Sequence, residues 1–249
     1  MSKVFIITGA SKGIGAAVVK YLLGQQHKLV LTARSEKLLQ IVKTAHPDQV
    51  EFLAGDMTDP EMPDKVTKLA MSAYGRIDGM VLNHGMLDNT TLANTSVEDI
   101  KRVFDVNVFS CIAMAKAGLD ELRKAKGSII WVSSGASSKA VKAWGAYGSS
   151  KSALNSLSAH IALEEPDITS IAIAPGRVDT DMQARLRSQG KDTMDKAAYD
   201  TFVQAYNDGM LLKPHQPGNV IARLLAIPPK NLSGQFLTWN ASELASYQE

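Results

Sequence analysis

The residues Ala146-Tyr147-Gly148-Ser149-Ser150-Lys151 set a phenol and an ammonium four positions apart, ahead of apolar residues at Leu154, Leu157 and Ile161. That apolar spacing is helical, so Tyr147 and Lys151 share one helix face, a turn apart, where they can act on one proton. The same spacing also occurs on solvated helices that do no chemistry. Ser134 lies thirteen residues before Tyr147, directly after an aliphatic run that reads as a strand. Its hydroxyl can therefore meet the tyrosine at the carboxyl edge of a sheet, whereas strand alternation turns its neighbour Ser133 the other way. Asn107, forty residues before Tyr147, sits inside a helical run where a short amide is a poor choice. Near the start of the chain, Thr8-Gly9-Ala10-Ser11-Lys12-Gly13-Ile14-Gly15 joins a strand-like run to a helical one. Such a turn lets backbone N–H groups at a helix N-terminus approach a pyrophosphate. Glycine would equally serve a tight turn that binds nothing.

The elements that must position these residues are short β-branched or aliphatic runs: Val4 to Thr8, Leu29 to Ala33, Val50 to Ala54, Gly79 to Asn83, Ser128 to Val132, Ser170 to Ala174 and Phe236 to Trp239. Helical periodicity fills most intervals, as at Ala16, Val19, Leu22 and Leu23, then Leu38, Ile41 and Val42. Alternating strand and helix predicts an α/β protein, a doubly wound Rossmann fold with a seven-stranded parallel sheet. No linker divides residues 1–249, so a single domain is expected. The interval from Asp181 to Pro217 is irregular, with Met182, Leu186, Met194, Tyr199, Phe202, Tyr206 and Met210 spaced for short helices. It reads as ordinary helical core or as a substrate lid at about residues 181–217, because ligands of open α/β sheets bind beyond the strand carboxyl ends.

Composition narrows the function classes. The chain has 249 residues, 45% hydrophobic and 21% charged, with a net charge of +2 and its two signs scattered evenly. No basic face suited to a phosphate backbone follows, so nucleic acid is not an expected partner. The one cysteine, Cys111, lies in a run that reads as a buried helix from Val103 to Leu122 and can form no internal disulfide. No secretory pattern opens the sequence and no apolar run approaches the roughly 20 residues of a membrane span. A soluble, reducing, cytoplasmic setting is the expectation. His27, His46, His160 and His215 lack metal-ligand spacing, and no metal is expected.

The turn's Thr-Gly-x-x-x-Gly-x-Gly form resembles that of the short-chain dehydrogenases/reductases, and the chain is similar to that family throughout its length. Asp56 after the third strand matches the family's adenine-contacting acid. Asn83-His84-Gly85 matches its Asn-Asn-Ala-Gly element in part, with Leu82 and His84 as departures. Asn107, Ser134, Tyr147 and Lys151 match the catalytic tetrad, and Pro175-Gly176 with Thr180 match the segment beside the nicotinamide. The resemblance implies a dinucleotide held by Gly9, Ser11, Lys12, Gly13, Ile14, Gly15, Arg34, Asp56, Met57, Asn83, Tyr147, Lys151, Pro175, Gly176, Val178 and Thr180. The second strand ends Thr32-Ala33-Arg34-Ser35, with no acid to repel a 2′-phosphate. Arg34 can pair with that phosphate and Lys12 adds a second cation, so NADPH/NADP is expected over NAD.

The mechanism that the resemblance implies is hydride transfer to a carbonyl carbon, with Tyr147 donating a proton to the oxygen. A free phenol has a pKa of about 10, and the Lys151 ammonium favours the phenolate left behind. Ser134 holds the carbonyl oxygen, Lys151 also binds the nicotinamide ribose, and Asn107 positions a water linking Lys151 to solvent. His84 either contacts the ribose or fills space. Lys142 to Tyr147, Val132 to Ser137, Glu164-Glu165-Pro166 and Ala174 to Gln183 resemble the sepiapterin reductase subgroup, above all fungal and bacterial members that reduce benzil to (S)-benzoin. The chain ends without the subgroup's pterin-holding aspartate, which favours a diketone or aromatic ketone. Trp144 then forms an aromatic wall and Met182 and Leu186 an apolar roof, though Trp144 fits plain core packing as well. An NAD-linked alcohol dehydrogenase and a non-catalytic NADP-binding protein are the rival readings. The resemblance also implies a homodimer or homotetramer, paired through the helices carrying Asn107 and Tyr147.

Overall fold

The strands of this computed structural model lie in one sheet because their side chains are apolar on both faces. Residues 2–191 and 193–248 are described; Met1, Asp192 and Glu249 lie outside, Asp192 within the interval expected to form the lid. Seven strands are formed among these residues: β1 (Val4–Thr8), β2 (Lys28–Ala33), β3 (Val50–Ala54), β4 (Gly79–Leu82), β5 (Ser128–Val132), β6 (Thr169–Ala174) and β7 (Phe236–Thr238). They run parallel in the order β3-β2-β1-β4-β5-β6-β7. In β1, Phe5 and Ile7 face one hydrophobic core and Ile6 the other. The sheet is therefore the middle of three layers. Strand order reverses between β1 and β4, which opens a crevice at their carboxyl ends.

Helices α1 (Gly13–Gly24), α2 (Glu36–Ala45) and α3 (Met62–Tyr74) follow the first three strands, and α4 (Val97–Phe104), α5 (Ser110–Ala125) and α6 (Gly145–Glu164) the next two. The chain then forms α7 (Asp181–Gln189), α8 (Lys196–Asn207) and α9 (His215–Ala226). A side chain on Gly218 of α9 would come within 2.8 Å of Ala17 Cβ, so α9 lies close against α1. The helix expected across Val103 to Leu122 is interrupted by a π-helical turn, Asp105–Phe109, which carries Asn107. Such wide turns recur at functional sites. The excursion holding α7 and α8 is closed at its neck: Leu212 N donates to Arg177 O at 2.9 Å and Asp179 N to Leu212 O at 2.8 Å. Among the described residues no helix is long and apolar enough to cross a membrane.

Candidate active site

The glycine turn leaves β1 through Gly9 (φ 61°) and enters α1 at Gly13 (φ 55°). Both lie in the left-handed region, where a side chain is strained. A Cβ on Gly15 would sit 2.2 Å from Gly9 O, and one on Gly9 2.8 Å from Asn83 Nδ2. Asn83, at the end of β4, braces the turn by donating to Thr8 O and Gly9 O, both at 3.1 Å. Among the described residues no side chain caps α1 at Lys12, so first-turn N–H groups remain open to an anion. Ser11 and Ile14 are half-buried beside this opening. Lys12 reaches elsewhere: its Nζ pairs with Asp181 Oδ2, 2.8 Å away at the start of α7.

Arg34 is exposed just beyond β2. Asp56 is also exposed, and the Thr58 N–H, 3.0 Å away, is the main reason its carboxyl lies below the usual range, with Arg34 contributing. Met57 turns inward, where its sulfur accepts from the Thr32 hydroxyl at 3.7 Å. Across the crevice, Pro175 and Val178 are buried and Thr180 is half-buried. Gly176 (φ 79°) presses on Leu212, whose Cδ1 would lie 2.8 Å from an added Cβ. A Cβ on Gly13 would come within 3.0 Å of Thr180 Cγ2, so this segment flanks the glycine turn directly.

Tyr147 and Lys151 are buried in the first and second turns of α6. Lys151 Nζ lies 5.8 Å from the Tyr147 ring centre and donates to Val132 O at 2.8 Å. Burial pushes the lysine down to about 8. It also raises the Tyr147 phenol, which a hydrogen bond with Ser134 opposes. Burial thus moves the phenol away from the phenolate that Lys151 was expected to favour. Ser134 is half-buried, with its oxygen accepting from Ala136 N at 3.2 Å. Ser133 turns away and donates to Asn155 Oδ1 at 2.6 Å. Asn107 is fully buried; its amide donates to Met86 O (2.9 Å) and Ser150 Oγ (3.0 Å) and accepts from Met86 N (2.8 Å). A Cβ on Gly85 would lie 3.2 Å from Asn107 Oδ1 and 3.5 Å from Lys151 Nζ, so these groups meet around one glycine.

The profile of the short chain dehydrogenases matches residues 3–191. The chain belongs to this family. It is 37% identical over 262 aligned residues to benzil reductase ((S)-benzoin forming) of Saccharomyces cerevisiae, covering 100% of both chains. It is 35% identical to an uncharacterized oxidoreductase of the same yeast, covering 99% of each. A crystal structure of a short chain dehydrogenase/reductase from that yeast superposes with a TM-score of 0.97 at 34% identity, covering 100% of both chains. The protein is thus an oxidoreductase of the short-chain dehydrogenase family, acting on carbonyl or hydroxyl groups.

Within this short-chain dehydrogenase, the residues expected around substrate meet in part. Trp144 packs edge-on against Tyr147, ring centres 5.7 Å apart, and Leu186 is fully buried in the same cluster. Met182 is half-buried on α7. Phe202 and Met194, expected only as part of the core-or-lid interval, join the same cluster as Trp144; Phe202 lies 5.4 Å from Trp144. Their apolar type was visible, but their distance in sequence hid the contact. His84, ambiguous from sequence, turns away from the open crevice. Its Nδ1 lies 2.7 Å from Thr8 Oγ1 and its Nε2 2.7 Å from Ser110 Oγ. Burial pushes this imidazole down to about 3, so it bridges β1 to the end of the π-helical turn as a neutral ring.

Proposed function

We propose that the protein is an NADPH-dependent carbonyl reductase that reduces a ketone or vicinal diketone, benzil-like and aromatic. The observation that carries this reading is Tyr147, a phenol at the sheet's carboxyl edge, buried between Lys151 and the Trp144–Phe202 cluster. The glycine cradle, the uncapped start of α1 and exposed Arg34 suit a phosphorylated dinucleotide. When bound, NADPH supplies a hydride, two electrons with one proton, to the carbonyl carbon. Tyr147 gives its phenolic proton to the oxygen as charge develops there, so C=O becomes CH–OH and the phenol becomes phenolate. Ser134 holds that oxygen as a preorganised donor. Lys151, at about 8 and still cationic at neutral pH, returns a proton to the phenolate from solvent. Asn107 holds the loop at Met86 against Ser150 and so fixes the floor on which Lys151 lies. Gly9, Ser11, Gly13, Ile14, Gly15, Asn83, Pro175, Gly176, Val178 and Thr180 line the dinucleotide crevice, and Met57 supports Asp56 from beneath.

The experiment is an NADPH oxidation screen over benzil, other vicinal diketones, sepiapterin and simple aldehydes, with Tyr147→Phe as control. Diketone reduction that the variant loses supports the assignment; preference for sepiapterin, or turnover unaffected by the variant, overturns it. Association through α5 and α6 is part of this reading. Phe109, just before α5, and Leu163, on α6, stay 57% and 80% exposed, and a monomer in sedimentation equilibrium would count against it.

A further inference from the structure

Two tryptophans of the protein are buried, and their indole N–H groups fare differently. Trp131 Nε1, inside the core, donates to Ser170 Oγ at 2.9 Å. Trp144 is 9% exposed, and its Nε1 is buried with no hydrogen-bond partner. Buried indole donors normally find an acceptor, because an unpaired one forfeits its hydrogen bonds to water with no return. Its packing neighbours Leu186 and Phe202 carry no side-chain acceptor, and the weakly accepting sulfur of Met194 makes no hydrogen bond with it. The vacancy is also not isolated. Of the five described buried side-chain polar atoms without partners, Asn89 Oδ1, Gln183 Oε1 and Arg187 Nη1 lie on the two segments that bring Leu87 and Leu186 to this cluster.

We propose that the Trp144 indole N–H is the donor that recognises a second oxygen on the substrate, next to the carbonyl that Tyr147 protonates. This rests on the carbonyl reductase reading above and narrows it to substrates with adjacent oxygens, vicinal diketones first. Trp144 precedes Tyr147 by one helical turn and touches its ring, so a donor on each can span the two oxygens of one dicarbonyl. A monoketone of the same size leaves the indole unpaired and gains only the apolar contact. The site then discriminates by a hydrogen bond that the wrong substrate cannot make.

The test compares benzil with deoxybenzoin, which keeps both rings and one carbonyl and has a methylene in place of the other. Trp144→Phe, which keeps an aromatic ring and removes the donor, is expected to lower kcat/KM for benzil roughly tenfold, the scale of one neutral hydrogen bond. Deoxybenzoin, which loses only apolar contact with the smaller ring, should fall less, so that the benzil-to-deoxybenzoin ratio drops severalfold. Both rates report on the same folded fraction, so their ratio is independent of any loss of stability. If Phe fails to fold, site-specific benzothienylalanine, an isostere with sulfur in place of N–H, should shift the ratio in the same way. An unchanged ratio, or equal loss on both ketones, makes Trp144 a packing residue and overturns the proposal alone. Wild-type protein that binds NADPH yet reduces neither ketone overturns the carbonyl reductase reading together with it.

Discussion

The two sides of the crevice differ in how their polar groups are satisfied. On the dinucleotide side, Thr8, Asn83 and His84 bind one another and the glycine turn: Asn83 N donates to Thr8 Oγ1 at 2.9 Å, and Thr8 Oγ1 donates to Val81 O at 3.2 Å. On the side proposed to take substrate, Asn89, Trp144, Gln183 and Arg187 keep buried atoms without partners among the described residues. A closed network holds one shape and suits a ligand common to a whole family. A set of unpaired donors and acceptors suits a ligand that completes it, and can be altered without disturbing the sheet. Specificity for cofactor and for substrate should therefore separate cleanly under mutation.

The largest separation is expected at the residue where both sides meet. Tyr147→Phe should lower kcat roughly 10² to 10⁴-fold, the range for general acid–base catalysis. NADPH affinity, read by fluorescence titration, should hold within about threefold, because on the proposed reading the phenol's proton serves chemistry while the glycine turn holds the dinucleotide. Loss of NADPH binding in parallel with turnover would merge the two sides and break the contrast. Arg34→Ala is the reverse case. Removing a charge-assisted pair should cut the preference for NADPH over NADH roughly tenfold to a hundredfold, with kcat little changed at saturating cofactor. An unchanged ratio of the two dissociation constants would remove Arg34 from 2′-phosphate recognition.

What the sequence revealed follows the same division. The seven strands were legible because each is a short run apolar on both faces, and observed ends differ from expectation by a residue at most, as at Lys28 and Leu82. The glycine turn and the Tyr147–Lys151 pair were legible because strand ends and helix turns fix them locally. His84 was not. Its partner Ser110 follows the π-helical turn, where the wider winding shifts which residues face the sheet. The contacts of Trp144 with Phe202 and of Lys12 with Asp181 join segments 58 and 169 residues apart, beyond any local pattern.

His84 gives the closed network a pH signature. Burial holds it at about 3, below the ordinary imidazole value of 6.5, so between these values the unfolded chain takes up a proton that the folded chain refuses. Stability contributed by the neutral ring is complete above pH 6.5 and falls as pH drops toward 3. At pH 5 the loss should be about 2 kcal/mol, and His84→Asn should remove that part of the acid dependence. Urea unfolding at pH 7 and pH 5 measures it. Equal slopes in both proteins would mean that the imidazole is protonated in place, and that the network is less closed than its 2.7 Å contacts indicate.

The smallest expected effect bears on an ion pair that ties the two sides. Lys12 belongs to the glycine turn, yet Asp181, first residue of α7, holds its ammonium, and the pair keeps the aspartate below its usual carboxylate range. With side chains 62% and 67% exposed, the pair is screened and worth little to stability. Its interest is competition: a 2′-phosphate and Asp181 cannot both hold the same ammonium at full strength. Asp181→Asn should therefore tighten NADPH by about fivefold at most and leave NADH unchanged, with the gain disappearing in 1 M salt. Lys12→Ala should cancel the gain in the double variant, since the freed cation is its source. A tighter grip on both dinucleotides would instead trace the effect to movement of α7, and would make Lys12 a tie between the halves rather than a reader of phosphate.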